Sequence, residues 1–299
     1  MNILVKLALK IRDSLNKPHT HQYVETIPVG ESIPKLIHQV YFSKTDFPAE
    51  IRQNIDNLKN ANPGWEYMLY DDAHMESYIQ QYYPNLLSTY KRINPIYGAA
   101  RADFFRYLLM YREGGVYLDI KSSLEKPLDQ IIQKDDKFLL SHWNNDIGEA
   151  DENKGKYECL SDIPLGEYQQ WHIIAVKGHP FLKAVINAVC HNINQYNPFF
   201  HDTGSWGVYA VTGPVAYTLA IFPNLNNQPH RLERKHADLG LIYNILSLKN
   251  KSHHSLFKKH YSECKEPLIL GNPVKNYLFL LLNPGLMFLK SKLRKLKHA

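Results

Sequence analysis

Cysteine is scarce in this 299-residue chain, which carries only Cys159, Cys190 and Cys264. An odd number without the paired spacing of a metal knuckle argues against a disulfide scaffold and for a reducing compartment. The apolar run Tyr277 to Leu282 falls far short of the ~18–20 residues that span a bilayer. Lys6 and Lys10 interrupt the first apolar stretch, so no export signal is legible there. Neither Gly-x-Gly-x-x-Gly nor Gly-x-x-x-x-Gly-Lys occurs, which removes the common glycine-rich phosphate loops. A clustered Cys/His zinc pattern, a hydrolase triad, internal repeats and low-complexity tracts are likewise not found.

What is present is ordinary for a globular protein: 44% hydrophobic and 21% charged residues, in a chain long enough to bury a full core. The net charge of +6 sits at the ends. Residues 286–299 contribute Lys290, Lys292, Arg294, Lys295 and Lys297 without an acid. Residues 1–17 contribute Lys6, Lys10, Arg12 and Lys17 against Asp13, which leaves the body slightly acidic. A body without a broad basic face excludes nucleic acid as the expected partner. In the tail, Leu286, Leu289, Leu293 and Leu296 recur at helical spacing opposite the cations. That pattern suits a helix lying on an anionic membrane surface, each cation contributing about 1 kcal/mol; a solvated tail is the alternative. We therefore divide the chain into an amphipathic arm and linker (1–30), a catalytic-sized α/β domain (31–270) and a basic amphipathic segment (271–299). Peripheral attachment at the cytoplasmic face of a bacterial membrane is the expected location.

Punctuation along the chain predicts strands alternating with helices. A first strand spans Lys35 to Phe42, and Pro48 opens a helix to about Asn60 with Ile51, Ile55 and Leu58 on one face. The turn Asn62-Pro63-Gly64 leads to a strand from Trp65 to Tyr70, and Asp71-Asp72 reads as the cap of the next helix rather than a ligand site. Pro95 opens a helix through about Arg112, stopped by Glu113-Gly114-Gly115. Strands follow at Val116 to Ile120, Phe138 to His142 and Trp171 to Val176. Residues 144–168 are a long polar loop on the acceptor side, Pro180 starts a helix to about Asn194, and Asn197 to Gly207 is an aromatic loop. The pattern is α/β: a Rossmann-like, mostly parallel sheet with helices on both faces.

The most informative stretch is Gly114-Gly115-Val116-Tyr117-Leu118-Asp119-Ile120-Lys121. It is a helix stop, a buried strand and a lone carboxylate at the strand's end. Ligands bind open α/β sheets in the crevice beyond the carboxyl ends of the strands. A carboxylate there suits a metal-bound diphosphate or a sugar, and the two glycines would let backbone approach it closely. Asp119 and Lys121 alternate onto one face of the strand.

Together with Ala99-Ala100-Arg101-Ala102-Asp103-Phe104-Phe105-Arg106-Tyr107, this stretch resembles the core of glycosyltransferase family 32. Further blocks match in the family's order: Ile33 to Tyr41, Asn62 to Tyr67, Lys177-Gly178-His179-Pro180 and Thr212-Gly213-Pro214. That family includes fungal Golgi mannosyltransferases and bacterial capsule and lipopolysaccharide enzymes, and it is related to the clostridial glucosylating toxins. The resemblance implies a GT-A fold and a retaining transfer of a hexose from a UDP- or GDP-linked sugar to a cell-surface glycan or lipid-linked acceptor. It implies that an acid pair at the strand end holds a divalent cation, Mn2+ or Mg2+, on the diphosphate. Here Lys121 stands where the second acid would be. Either other groups complete the metal shell or Lys121 supplies positive charge directly.

The same resemblance implies a donor-binding role for Asp103 and Arg106, which lie three apart on one helix face; a surface salt bridge is the plainer reading. It implies donor contacts from Gly114, Gly115 and Tyr117 and base stacking by Tyr41, for which core packing is the alternative. Thr212 and Gly213 would offer backbone N–H groups to a phosphate or acceptor, with structural capping as the equal alternative. His254 would join Asp119 at the metal, with an exposed His253-His254 pair as the equal alternative. The rival to an enzyme is a non-catalytic glycan- or nucleotide-binding module on a degenerate transferase scaffold, which Lys121 motivates.

Overall fold

The computed structural model describes residues 21–43, 46–149, 151–246, 260–271 and 279. The arm before residue 21, the basic segment 286–299 and His254 lie outside them. Strand β1 (Leu36–Val40) lies one strand in from the sheet edge, and its interior residues are buried on both faces. Helix α1 (Ala49–Ala61) buries Ile51, Ile55 and Leu58 on the expected stripe. The edge strand β2 (Glu66–Tyr70) alternates exposed and half-buried residues, as one covered face requires. Asp71 caps α2 (Asp72–Tyr82) by accepting from the His74 N–H at 2.9 Å.

After a short 3-10 turn and α3 (Leu87–Arg92) comes α4 (Gly98–Glu113), the helix that positions the site. Every residue from Asp103 to Tyr111 on it is buried. Gly114 ends α4 at φ 71°, its N–H donating to the Met110 carbonyl at 3.0 Å. Strand β3 (Gly115–Leu118) starts at once, followed by β4 (Ser123–Leu124), α5 (Leu128–Ile131), β5 (Phe138–Ser141) and β6 (His172–Ala175). The chain continues through α6 (Pro180–Gln195), α7 (Pro198–His201), α8 (Gly204–Val211), α9 (Pro214–Ile221), β7 (Arg231–Glu233) and β8 (Leu241–Ile242).

The main sheet has the order β2-β1-β3-β6-β5-β7. Three of its five pairings are parallel, and β6 runs antiparallel to both neighbours. The sheet is thus mostly parallel, as expected, but mixed. β4 and β8 form a separate small ribbon. Tyr117, Ile173 and Phe138 face the larger core with α4 and α6, whereas Val116, Leu118 and Ile174 face a second core. Helices cover both faces. The expected loop 197–207 is instead α7 and the start of α8, because Asn197 and Pro198 supply a cap and first residue. Residues 204–227 are long and apolar enough to cross a membrane. Here they break into α8, α9 and a 3-10 turn, with Val208, Val211, Val215, Tyr217 and Ile221 packed in the body.

Candidate active site

β3 ends at Leu118, and the following backbone is held at once by its neighbours. The Asp119 N–H donates to the Trp171 carbonyl at 2.8 Å, and the Asp119 carbonyl accepts from Ser122 N at 2.8 Å and Gln39 Nε2 at 3.1 Å. Ser122 Oγ bonds the Tyr243 carbonyl, and Ile245 N bonds the Lys121 carbonyl at 2.9 Å. The turn at the strand's carboxyl end is therefore tied on three sides, with its side chains at the crevice where ligands bind such sheets.

Two cations grip the carboxylate. Arg106 Nη1 lies 3.1 Å from Asp119 Oδ1, and Lys121 Nζ lies 3.2 Å from Asp119 Oδ2. The other arm of Arg106 reaches Asp103 Oδ1 at 3.1 Å, and the guanidinium sits 4.6 Å over the Tyr117 ring. Asp103 also accepts from Gln170 Nε2 at 3.1 Å and Thr212 Oγ1 at 2.9 Å. Tyr107 closes the network by donating to the Thr212 carbonyl at 2.9 Å. Burial pushes the Asp103 carboxyl above its ordinary range, and Arg106, Gln170 and Thr212 pull it back. For Lys121 burial acts to lower the pKa, but Asp119 and Tyr243 outweigh it and the net shift is upward, so the ammonium is charged.

Exposure separates these residues into two groups. The Asp103 and Arg106 side chains are 2% and 5% exposed, whereas Asp119 reaches 21%. The surface salt bridge considered for Asp103 and Arg106 is thus a buried one. Asp103 is enclosed by its partners, and Arg106 bonds Asp103, Asp119 and the Gln170 carbonyl. They position Asp119. Tyr117 does the same from beneath Arg106, fully buried in the core.

Gly114 and Gly115 lie at the opposite end of β3 from Asp119, so they are not donor contacts. A Cβ on Gly114 would stand 2.6 Å from Lys177 N, and one on Gly115 would stand 2.7 Å from the Leu36 carbonyl oxygen. They permit close approach of backbone to backbone, not of backbone to ligand. Tyr41 is 3% exposed and packs on Phe42 and Phe47, which is the core alternative. The N–H groups of Thr212 and Gly213 both donate to the Val208 carbonyl. They are not offered to a ligand, and Thr212 joins the site through its hydroxyl instead. The described residues of 144–168 are irregular as expected, except for one 3-10 turn, and they bury Glu167 against Trp143 Nε1 at 2.6 Å.

Sequence reasoning missed Gln39, Gln170 and Tyr243. Each is polar and far from Asp119 in sequence, and strand pairing alone brings them there. One signal was available for Gln170: it immediately precedes the predicted strand that β3 turned out to pair with.

A divalent cation finds a poor fit in these side chains. Among the described residues no group of three His, Cys, Asp or Glu is arranged to hold a metal. The single strand-end acid already has a cation on each oxygen.

Residues 48–138 match a family described as the glycosyltransferase sugar-binding region containing the DXD motif, and transferases of that type generally use a divalent cation. Inositol phosphoceramide mannosyltransferase 3 of Schizosaccharomyces pombe is 32% identical over 76% of this chain and 54% of its own length. The initiation-specific alpha-1,6-mannosyltransferase of Candida albicans is 26% identical over 74% of this chain and 60% of its own. A mannosyl phosphorylinositol ceramide synthase of Saccharomyces cerevisiae is 28% identical over 65% and 46%. The chain thus spans about half the length of these curated relatives. They are fungal, and their names carry no capsule or lipopolysaccharide context. A solved structure, the PaToxG glycosyltransferase, aligns over 75% of this chain at 15% identity and TM-score 0.44, a likeness too loose to add to the topology above.

Proposed function

We propose that this chain, which belongs to glycosyltransferase family 32, transfers a hexose with retention from a UDP- or GDP-linked sugar to a glycan or lipid-linked acceptor. The observation that carries the reading is Asp119. It is a partly exposed carboxylate at the end of β3, inside the matched region and held rigidly by two cations. The names of the relatives favour mannose as the hexose, and an inositol phosphoceramide as one kind of acceptor.

In the proposed reaction the acceptor oxygen bonds to the anomeric carbon as the bond from that carbon to the diphosphate breaks. The acceptor's proton passes to the departing phosphate oxygen, so the products are a glycoside and a nucleoside diphosphate. Engagement of both Asp119 oxygens by cations blunts that carboxylate as a nucleophile, which favours front-face displacement over a covalent intermediate. The protein's task is then to stabilise the charge developing on the leaving group.

Asp119→Asn tests the reading. Nucleoside diphosphate release from a panel of UDP- and GDP-sugars, with an acceptor mixture, should fall by about two to three orders of magnitude in a protein that still folds. A wild-type chain that is folded but releases nothing from any donor would move the assignment to the non-catalytic binding module.

A further inference from the structure

The charges around Asp119 balance without a metal. Asp103 and Asp119 contribute two negative charges, and Arg106 and Lys121 two positive ones, all within one chain of contacts of 3.1 to 3.2 Å. An aspartate at position 121 would make the same group carry a net −2, the charge that one divalent cation cancels. Lys121 therefore brings the site to the neutrality that an acid pair reaches only with its metal.

Position also distinguishes the two cations. Arg106 has its fork spent on Asp103, Asp119 and the Gln170 carbonyl. Lys121 has three donor hydrogens on a compact point charge, lies beside the most exposed member of the group, and is steadied 4.6 Å over the Tyr243 ring. Its backbone is tied to Ile245. An ammonium fixed in this way can meet a phosphate without being ordered at the moment of binding.

We propose that Lys121 is a resident cation that takes the place of the divalent metal, so that this site binds a nucleoside diphosphate with no metal ion. The inference rests on the donor-site reading above. It concerns binding, and it is tested without turnover.

The experiment is calorimetric titration of the full chain with UDP and with GDP, in chelator and in Mn2+, for the wild type and Lys121→Asp. The wild type should bind one nucleotide with affinities in the two buffers that agree within about threefold. Lys121→Asp should lose at least about tenfold in chelator, the equivalent of ~1.4 kcal/mol, and recover in Mn2+. If Lys121→Asp does not fold, Lys121→Met keeps the buried stem; it should lose the same affinity and gain nothing from Mn2+. A wild type that binds at least tenfold more weakly in chelator overturns the metal-free site but leaves the donor site standing. A folded wild type that binds neither nucleotide in either buffer overturns the donor-site reading, and this inference with it.

Discussion

Truncating Asp103 to alanine should unfold more of this protein than truncating the acid at the site's mouth. Asp103 is 2% exposed and satisfies three donors: Gln170 Nε2, Thr212 Oγ1 and one arm of Arg106. Its removal leaves Arg106, 4% exposed, with one carboxylate and orphans Gln170 Nε2, while Thr212 Oγ1 keeps a 3.4 Å contact with the Val208 carbonyl. Breaking a buried pair from one side costs about 3–5 kcal/mol, of which the orphaned amide is a part. Arg106 keeps Asp119 and the Gln170 carbonyl, so we expect a loss of about 4 kcal/mol in urea denaturation. Asp119→Asn leaves an amide oxygen to face Arg106 or Lys121, whose side chains are 5% and 10% exposed, and should cost less, about 2 kcal/mol, by the same assay. The ordering is the test. If Asp103→Ala costs less than Asp119→Asn, the division into a sealed positioning pair and an open acting acid is wrong.

Two further outcomes follow from single sites. Burial pushes the Glu167 carboxyl from 4.5 to about 7, against the pull of Trp143 and Lys154. The folded state holds that proton more tightly than the unfolded one, so the stability it contributes is present below pH ~4.5 and is lost as pH rises through about 7, by about 3 kcal/mol. Glu167→Gln should therefore gain stability over wild type at pH 8 and little at pH 4.5. The buried histidines are common to both proteins and cancel in the difference of melting curves, so a difference that does not change with pH would refute the shift. Gly114→Ala must fit a Cβ 2.6 Å from Lys177 N and 2.9 Å from the Ala175 oxygen at φ 71°, and should cost at least ~3 kcal/mol in denaturant titration; a loss below ~1 kcal/mol would mean that this close approach does not exist.

How far the fold was legible depended on whether local chemistry or long-range pairing decided each part. Pro48 and the spacing of Ile51, Ile55 and Leu58 specified α1, and Asp71 behaved as the cap its position suggested. Gly114 marked the end of α4, which runs one residue past the expected Arg112, whereas its start falls at Gly98 and not at Pro95. The antiparallel β6 was not legible, because β5 and β6 are separate apolar tetrads and only the path of the chain between them sets their direction. β4 and β8 have two residues each, too few for any period to show. Asp119 and Lys121 do meet, but across the turn from Asp119 to Ser122 that follows β3, which stops at Leu118, and not through the strand alternation that suggested it. Gly114 and Gly115 were misassigned because a glycine that admits a ligand and one that admits a neighbouring strand look alike in sequence. The burial of Asp103 and Arg106 could have been read: α4 is apolar nearly all round, and such a helix has no solvated face on which to leave a salt bridge.

That burial bears on how the site would work. A charge buried with partners costs several kcal/mol in desolvation, and its Coulomb energy repays this only with near-complete hydrogen bonding. Asp103 and Arg106 meet that condition with partners from α4, Gln170 and Thr212, and with Asp119 as the second carboxylate on Arg106. The cost is met once, at folding, and it leaves Asp119 and Lys121 fixed at the crevice. On the proposed reading the leaving diphosphate then meets charges that need no reorganisation, the condition under which electrostatic stabilisation of a transition state is largest. The Lys121 ammonium has donor hydrogens beyond the one that meets Asp119 at 3.2 Å, so it can meet the phosphate with that pair intact. The extra charge that gathers on the phosphate as the sugar leaves then strengthens its hold on the ammonium, so the loss of Lys121 should weaken nucleoside diphosphate binding and lower kcat by a larger factor than it raises KM.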